Sequence, residues 1–142
     1  MQEEARWRFI VELDEKLLKG GIVLSEWCTF IVRSTDLAFV SGAHLATIIT
    51  AVAGIETYLR SEYEGGTRET LQRLIDKSSI AEELKAELQR LRKYRNSWVH
   101  VPAPWNDREL LNDPEKHDRE LEDMAIVAVQ VLRRTIYESQ WA

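Results

Sequence analysis

One cysteine, three prolines and six glycines in 142 residues are too few for several whole classes of protein. The lone Cys28 closes no intramolecular bridge, so a disulfide scaffold is excluded and the thiol is expected to be reduced and packed. So little glycine and proline leaves no long linker and no many-stranded barrel. A basic excess is also missing: 19 Lys and Arg stand against 24 Asp and Glu, a formal charge of -5, which argues against a general polyanion binder. Three scattered His beside one Cys give no metal-ligand spacing, and no glycine-rich phosphate loop is present, so neither metal nor cofactor is expected. The opening MQEEARWRF places two carboxylates where a secretory signal needs bases and then an apolar run, so a cytoplasmic location is expected.

One uncharged stretch is long. Between Asp36 and Glu56 the only ionisable side chain is His44, over about the length of a bilayer span. Ser41, Gly42, Thr47, Thr50 and Gly54 interrupt it, and it lacks the aromatic and basic anchors of a membrane surface, so it reads as a buried central helix.

What the chain does contain is helical periodicity, with neither repeats nor a domain boundary. It reads as a single domain over 1–142, with a helical extension over about 1–20. Gly20-Gly21 is expected to end a first helix from about Glu3 to Lys19, with Trp7, Ile10, Leu13, Leu17 and Leu18 inward. A second runs from Ser25 to about Val40 with Leu24, Trp27, Cys28, Ile31 and Ala38 at helical spacing; a third runs from about Ala43 to Tyr63 and stops at Gly65-Gly66. A short helix covers Arg68 to Asp76. Ser79-Ile80-Ala81-Glu82 has the form of a capping box opening a helix to about Val101, before Pro102. The segment VPAPWNDRELLN reads as irregular, and Asp113-Pro114 opens the last helix. The fold class is all-α, expected as a four-helix up-and-down bundle with one or two additional short helices.

Two charges fall in the middle of apolar stripes when the helices are projected at about 100° per residue. Arg95 lies among Ile80, Leu84, Leu88, Leu91, Trp98 and Val99; Glu56 lies among Leu45, Ile48, Ile49, Val52, Leu59 and Tyr63. Buried charges are costly unless paired, so the expectation is that Glu56 and Arg95 face each other, as a structural ion pair or as part of a site.

Arg95 begins R-N-S-W-V-H, in which Arg95, Asn96 and His100 form R-N-x-x-x-H at a helix end. This resembles the signature of the HEPN superfamily: an Arg, a gap of four to six residues, then a His, often with Asn directly after the Arg. AVAGIETYLR, Ala51 to Arg60, looks like the family's preceding helix with its inward acid, here Glu56. The resemblance extends in helix order from about Asp36 to the carboxyl terminus. It implies a four-helix bundle, a homodimer that brings two motifs together, and in many members a metal-independent endoribonuclease; other members are inactive binding or scaffold versions. One departure concerns control. HEPN toxins neutralised by nucleotidyltransferase partners commonly carry a Tyr two residues after the His, where this chain has Pro102.

The residue types suit such chemistry. Imidazoles ordinarily titrate near pH 6.5, so His100 could take the ribose 2′-hydroxyl proton or protonate the leaving 5′-oxygen. Arg95 offers a permanently charged fork to phosphoryl oxygens. Asn96, four residues before His100, would position the phosphate or orient the imidazole. Arg92, Lys93 and Trp98 are the candidates for binding RNA. On an ideal helix Arg95 and His100 stand about 140° apart, a gap that a two-copy cleft or a loosened last turn would close.

Three readings remain open: a homodimeric endoribonuclease, such as a toxin or phage-defence component with an antitoxin or regulatory protein as partner; a non-catalytic helical binding or dimerisation module; and a plain helical-bundle subunit of a larger assembly. The charge is unevenly spread. Residues 107–123 carry eight acids and three bases, while 85–95 carry Lys85, Arg90, Arg92, Lys93 and Arg95 against Glu87 alone. The acidic total thus conceals a basic helix leading into the motif.

Overall fold

In a computed structural model the chain is described over residues 1–63 and 69–141. Seven helices follow one another: α1 (Glu3–Leu17), α2 (Glu26–Val40), α3 (His44–Tyr63), α4 (Leu71–Lys77), α5 (Glu82–Val99), α6 (Arg108–Asn112) and α7 (Pro114–Ile136). Among the described residues there is no strand, only an isolated bridge between Gly21 and Trp141, and the class is all-α. No helix among them is long and apolar enough to cross a membrane.

The long uncharged stretch of the sequence is divided by a turn. Ser41 ends α2 and Gly42 takes φ +82°, a left-handed geometry that side chains disfavour, before α3 starts at His44. α3 then buries Ile48, Ala51, Val52, Gly54, Ile55, Tyr58 and Leu59. It packs chiefly on α2 and α7, and its small residues Ala51 and Gly54, like Ala125 and Ala128 of α7, suit a close approach of backbones. Tyr63 meets Ser79 and Glu138 at one end of the molecule, and His44 meets Glu122 at the other, so α3 and α7 run in the same direction and α5 against them. This arrangement is compatible with an up-and-down bundle of α2, α3, α5 and α7. α2 and α5 do not touch each other; each packs on both α3 and α7.

Several boundaries differ from the sequence reading, for identifiable reasons. α1 ends at Leu17, short of the glycines, which serve a close approach instead. A Cβ on Gly20 would stand 2.0 Å from the Trp141 carbonyl oxygen, and one on Gly21 would meet the Trp141 ring. The Ser79 capping box does not form: α5 begins at Glu82 with Ala81 at its N-cap, because the Ser79 hydroxyl is engaged by Tyr63 at 3.1 Å. α4 covers Leu71–Lys77, while Arg68 and the Gly65-Gly66 stop lie outside the described residues. The segment expected to be irregular contains α6. Asp113 caps α7 as expected, accepting the Lys116 N–H at 3.0 Å. Two tryptophans assigned to apolar faces, Trp7 and Trp27, are exposed.

Candidate functional site

The motif occupies the last turn of α5. Leu84, Leu88 and Leu91 are buried at the spacing of one face, and Arg95, four residues after Leu91, continues that stripe. Its Nε is buried and has no hydrogen-bond partner, and the same holds for Asn96 Oδ1. Two successive residues thus carry buried polar atoms without a partner among the described residues, a condition that native structures rarely leave unexplained. Burial raises the Tyr94 hydroxyl above its ordinary pKa, with nearby Glu120 adding to the shift.

The helix stops at Val99. His100 is its C-cap, with φ -126° and ψ 63°, while its N–H still donates to the Asn96 carbonyl at 2.9 Å. Pro102 explains the stop, since it has no N–H to continue the ladder and disfavours helical geometry before it. His100 is exposed, whereas Arg95 and Asn96 are half-buried. No hydrogen bond joins Arg95 to His100 among the described residues.

The expected Glu56–Arg95 pair is corrected. Glu56 Oε2 accepts from Arg60 Nη2 at 2.7 Å and from Arg60 Nε at 3.2 Å, one turn along the same helix, and both side chains are about one-third exposed. A neighbour at i+4 satisfies the carboxylate locally, without the cost of carrying it to another helix. Arg95 has no acidic partner within ion-pair distance among the described residues. The other expected RNA-binding residues are spread around the helix: Arg92 is held by Gln89 at 2.8 Å, Lys93 is exposed, and Trp98 turns toward α7. There Trp98 lines a hollow with Val101, Pro104, Leu110, His117 and Glu120, and His117 is half-buried. His44 Nε2 lies 3.4 Å from Glu122, while its Nδ1 is buried without a partner.

The buried charge of this protein lies elsewhere, and sequence reasoning missed it. Arg133 of α7 is almost fully buried; its Nη1 and Nη2 clasp Asp36 at 2.8 and 2.7 Å, and its Nε reaches Asp14 at 2.9 Å. Tyr137 donates to the same Asp14 oxygen at 2.6 Å. This cluster ties α7 to α1 and α2, while the adjacent Arg134 pairs with Glu83 and Glu87 of α5. A signal was available: Arg133 lies four residues after Val129 and three before Ile136, inside the strongest apolar stripe of the chain.

Among the described residues no three His, Cys, Asp or Glu gather as metal ligands. Comparison with known protein families, with curated proteins and with solved structures finds no match for this chain.

Proposed function

We propose that this chain is a HEPN-type, metal-independent endoribonuclease that works as a homodimer, in the manner of a toxin or phage-defence component restrained by a partner protein. The observation that carries this reading is the end of α5, where an Arg95 without an acidic partner among the described residues and an Asn96 with a free buried oxygen sit one turn before an exposed His100. A cation and a polar side chain held in place, beside an imidazole open to solvent, suit a phosphodiester that approaches from outside. The reaction would transfer the 2′-hydroxyl proton to one imidazole while the 2′-oxygen attacks phosphorus. The bond to the 5′-oxygen breaks, that oxygen takes a proton from the second imidazole, and a 2′,3′-cyclic phosphate is left. Arg95 would bind the phosphoryl oxygens as charge gathers on them. On an ideal helix Arg95 and His100 stand about 140° apart, and a second copy would complete the cleft.

The unpartnered Arg95 Nε and Asn96 Oδ1 also suit the other reading, a non-catalytic module in which Arg95 and Asn96 bind an anionic or polar group. Total RNA incubated with the protein in EDTA separates the two. Endoribonuclease action predicts cleavage that falls by about 10²-fold or more in both His100→Ala and Arg95→Ala. Equal cleavage by wild type and variants, or none, would leave the module as the better account.

A further inference from the structure

The outer face of α2 exposes several large apolar side chains, and it lies across the α3–α7 pair from the motif. Trp27 is 79% exposed, Phe30 62% and Leu37 51%, and Val23 stands exposed just before the helix. With Trp7 of α1, the aromatics alone leave on the order of 400 Å² in water, taking ~150–250 Å² for a whole aromatic side chain. That already matches the largest patch of a typical monomer, ~300–600 Å². It is also about half of the ~800 Å² per partner that a standard interface buries.

The arrangement of the face identifies what would cover it. At 100° per residue, Glu26, Trp27, Arg33, Ser34 and Leu37 all fall within about 60° of Phe30. Trp27 and Ser34 lie on the side toward α3, where with Glu26, Phe30 and Ile31 they border a hollow completed by the small residues Thr50 and Ala53. Arg33 lies on the side toward α1, with Trp7 and Leu37. Glu26 and Arg33 are both exposed, and neither has a charged partner among the described residues. A two-fold axis perpendicular to α2 at Phe30 keeps each side facing its own counterpart and reverses height along the helix. Residue 30 then meets itself, 26 and 27 meet 33 and 34, and 23 meets 37.

We infer that α2 pairs antiparallel with α2 of a second copy of this chain, with Phe30 at the axis, Trp27 seated in the partner's hollow of Ser34, Thr50 and Ala53, and Glu26 against the partner's Arg33. Phe30 meets its own copy, Trp27 meets small residues and Glu26 meets Arg33, so the face is complementary to itself, as an isologous contact requires. The pairing sets the two α5 ends at opposite ends of the assembly. It is therefore separate from the contact that would complete a composite cleft, and it stands or falls independently of RNA cleavage.

Light scattering coupled to size exclusion tests it on the full chain, with circular dichroism recorded for each variant. Phe30→Glu, at an exposed position, halves the particle mass while helix content stays unchanged. Trp27→Ala raises the dissociation constant of the pairing by about 30-fold or more, as for a tryptophan hot spot. Glu26→Arg and Arg33→Glu each weaken association, and the double charge swap restores it. A mass unchanged in Phe30→Glu, a wild type that is a single chain, or a double swap no better than its parents would overturn the pairing.

Discussion

Arg133 and Glu56 show how differently two charges placed on helix stripes can behave. Arg133 is buried and answered by two carboxylates from two other helices, so its removal leaves the mostly buried Asp36 with no cation and the partly exposed Asp14 with Tyr137 alone. Arg133→Ala is expected to cost about 3–5 kcal/mol in urea unfolding, the usual penalty for breaking a buried pair. Glu56→Ala removes only a half-exposed i,i+4 pair and should change stability by no more than about 0.5 kcal/mol. A reversal of that order would mean that Glu56 has a partner outside its own helix. Arg95, Asn96 and His100 were legible in the sequence because their spacing is local. The Arg133 cluster was not, because Asp14, Asp36 and Arg133 are brought together only by tertiary packing.

Helices were legible where their boundaries are set by neighbours in sequence. Ser25 accepts the Cys28 N–H and Asp113 the Lys116 N–H, and both caps begin helices where side chains of that type favour a start. Boundaries moved where a distant group intervened, as Tyr63 does at Ser79 and Trp141 at the two glycines. The α2–α3 turn depends on one backbone angle. Gly42→Ala should destabilise the protein by about 1 kcal/mol, read from the midpoint of chemical unfolding, since a Cβ is strained at φ +82°. An unchanged midpoint would mean that the turn relaxes at no cost.

Across the whole molecule the four tyrosines connect stability to pH. Burial pushes the Tyr58 hydroxyl up to about 12, and Tyr63, Tyr94 and Tyr137 are raised too, the first cause in each being loss of solvent. The unfolded chain gives up these protons near pH 10, while the folded one still holds them. Their contribution is thus complete below pH 10 and is lost as pH rises toward 12. The melting temperature should fall over that window, with tyrosinate absorbance appearing as the helices are lost. Tyrosinate forming near pH 10 with the helical signal intact would contradict it. Cys28, also raised by burial, belongs to the same packed interior.

The sequence by itself determined the all-α class, the helices that carry the core, and the run of Arg95, Asn96 and His100 at a helix end. These depend on short-range periodicity, on caps, and on a proline that stops a ladder within a few residues. Only the tertiary structure decided which charges are buried and which tryptophans are not. Apolar spacing says that one side of a helix can be buried, but the neighbouring helices settle which side is. α2 packs Cys28 and Phe39 inward and leaves Trp27 and Phe30 in water, a choice made by where α3, α7 and α1 lie.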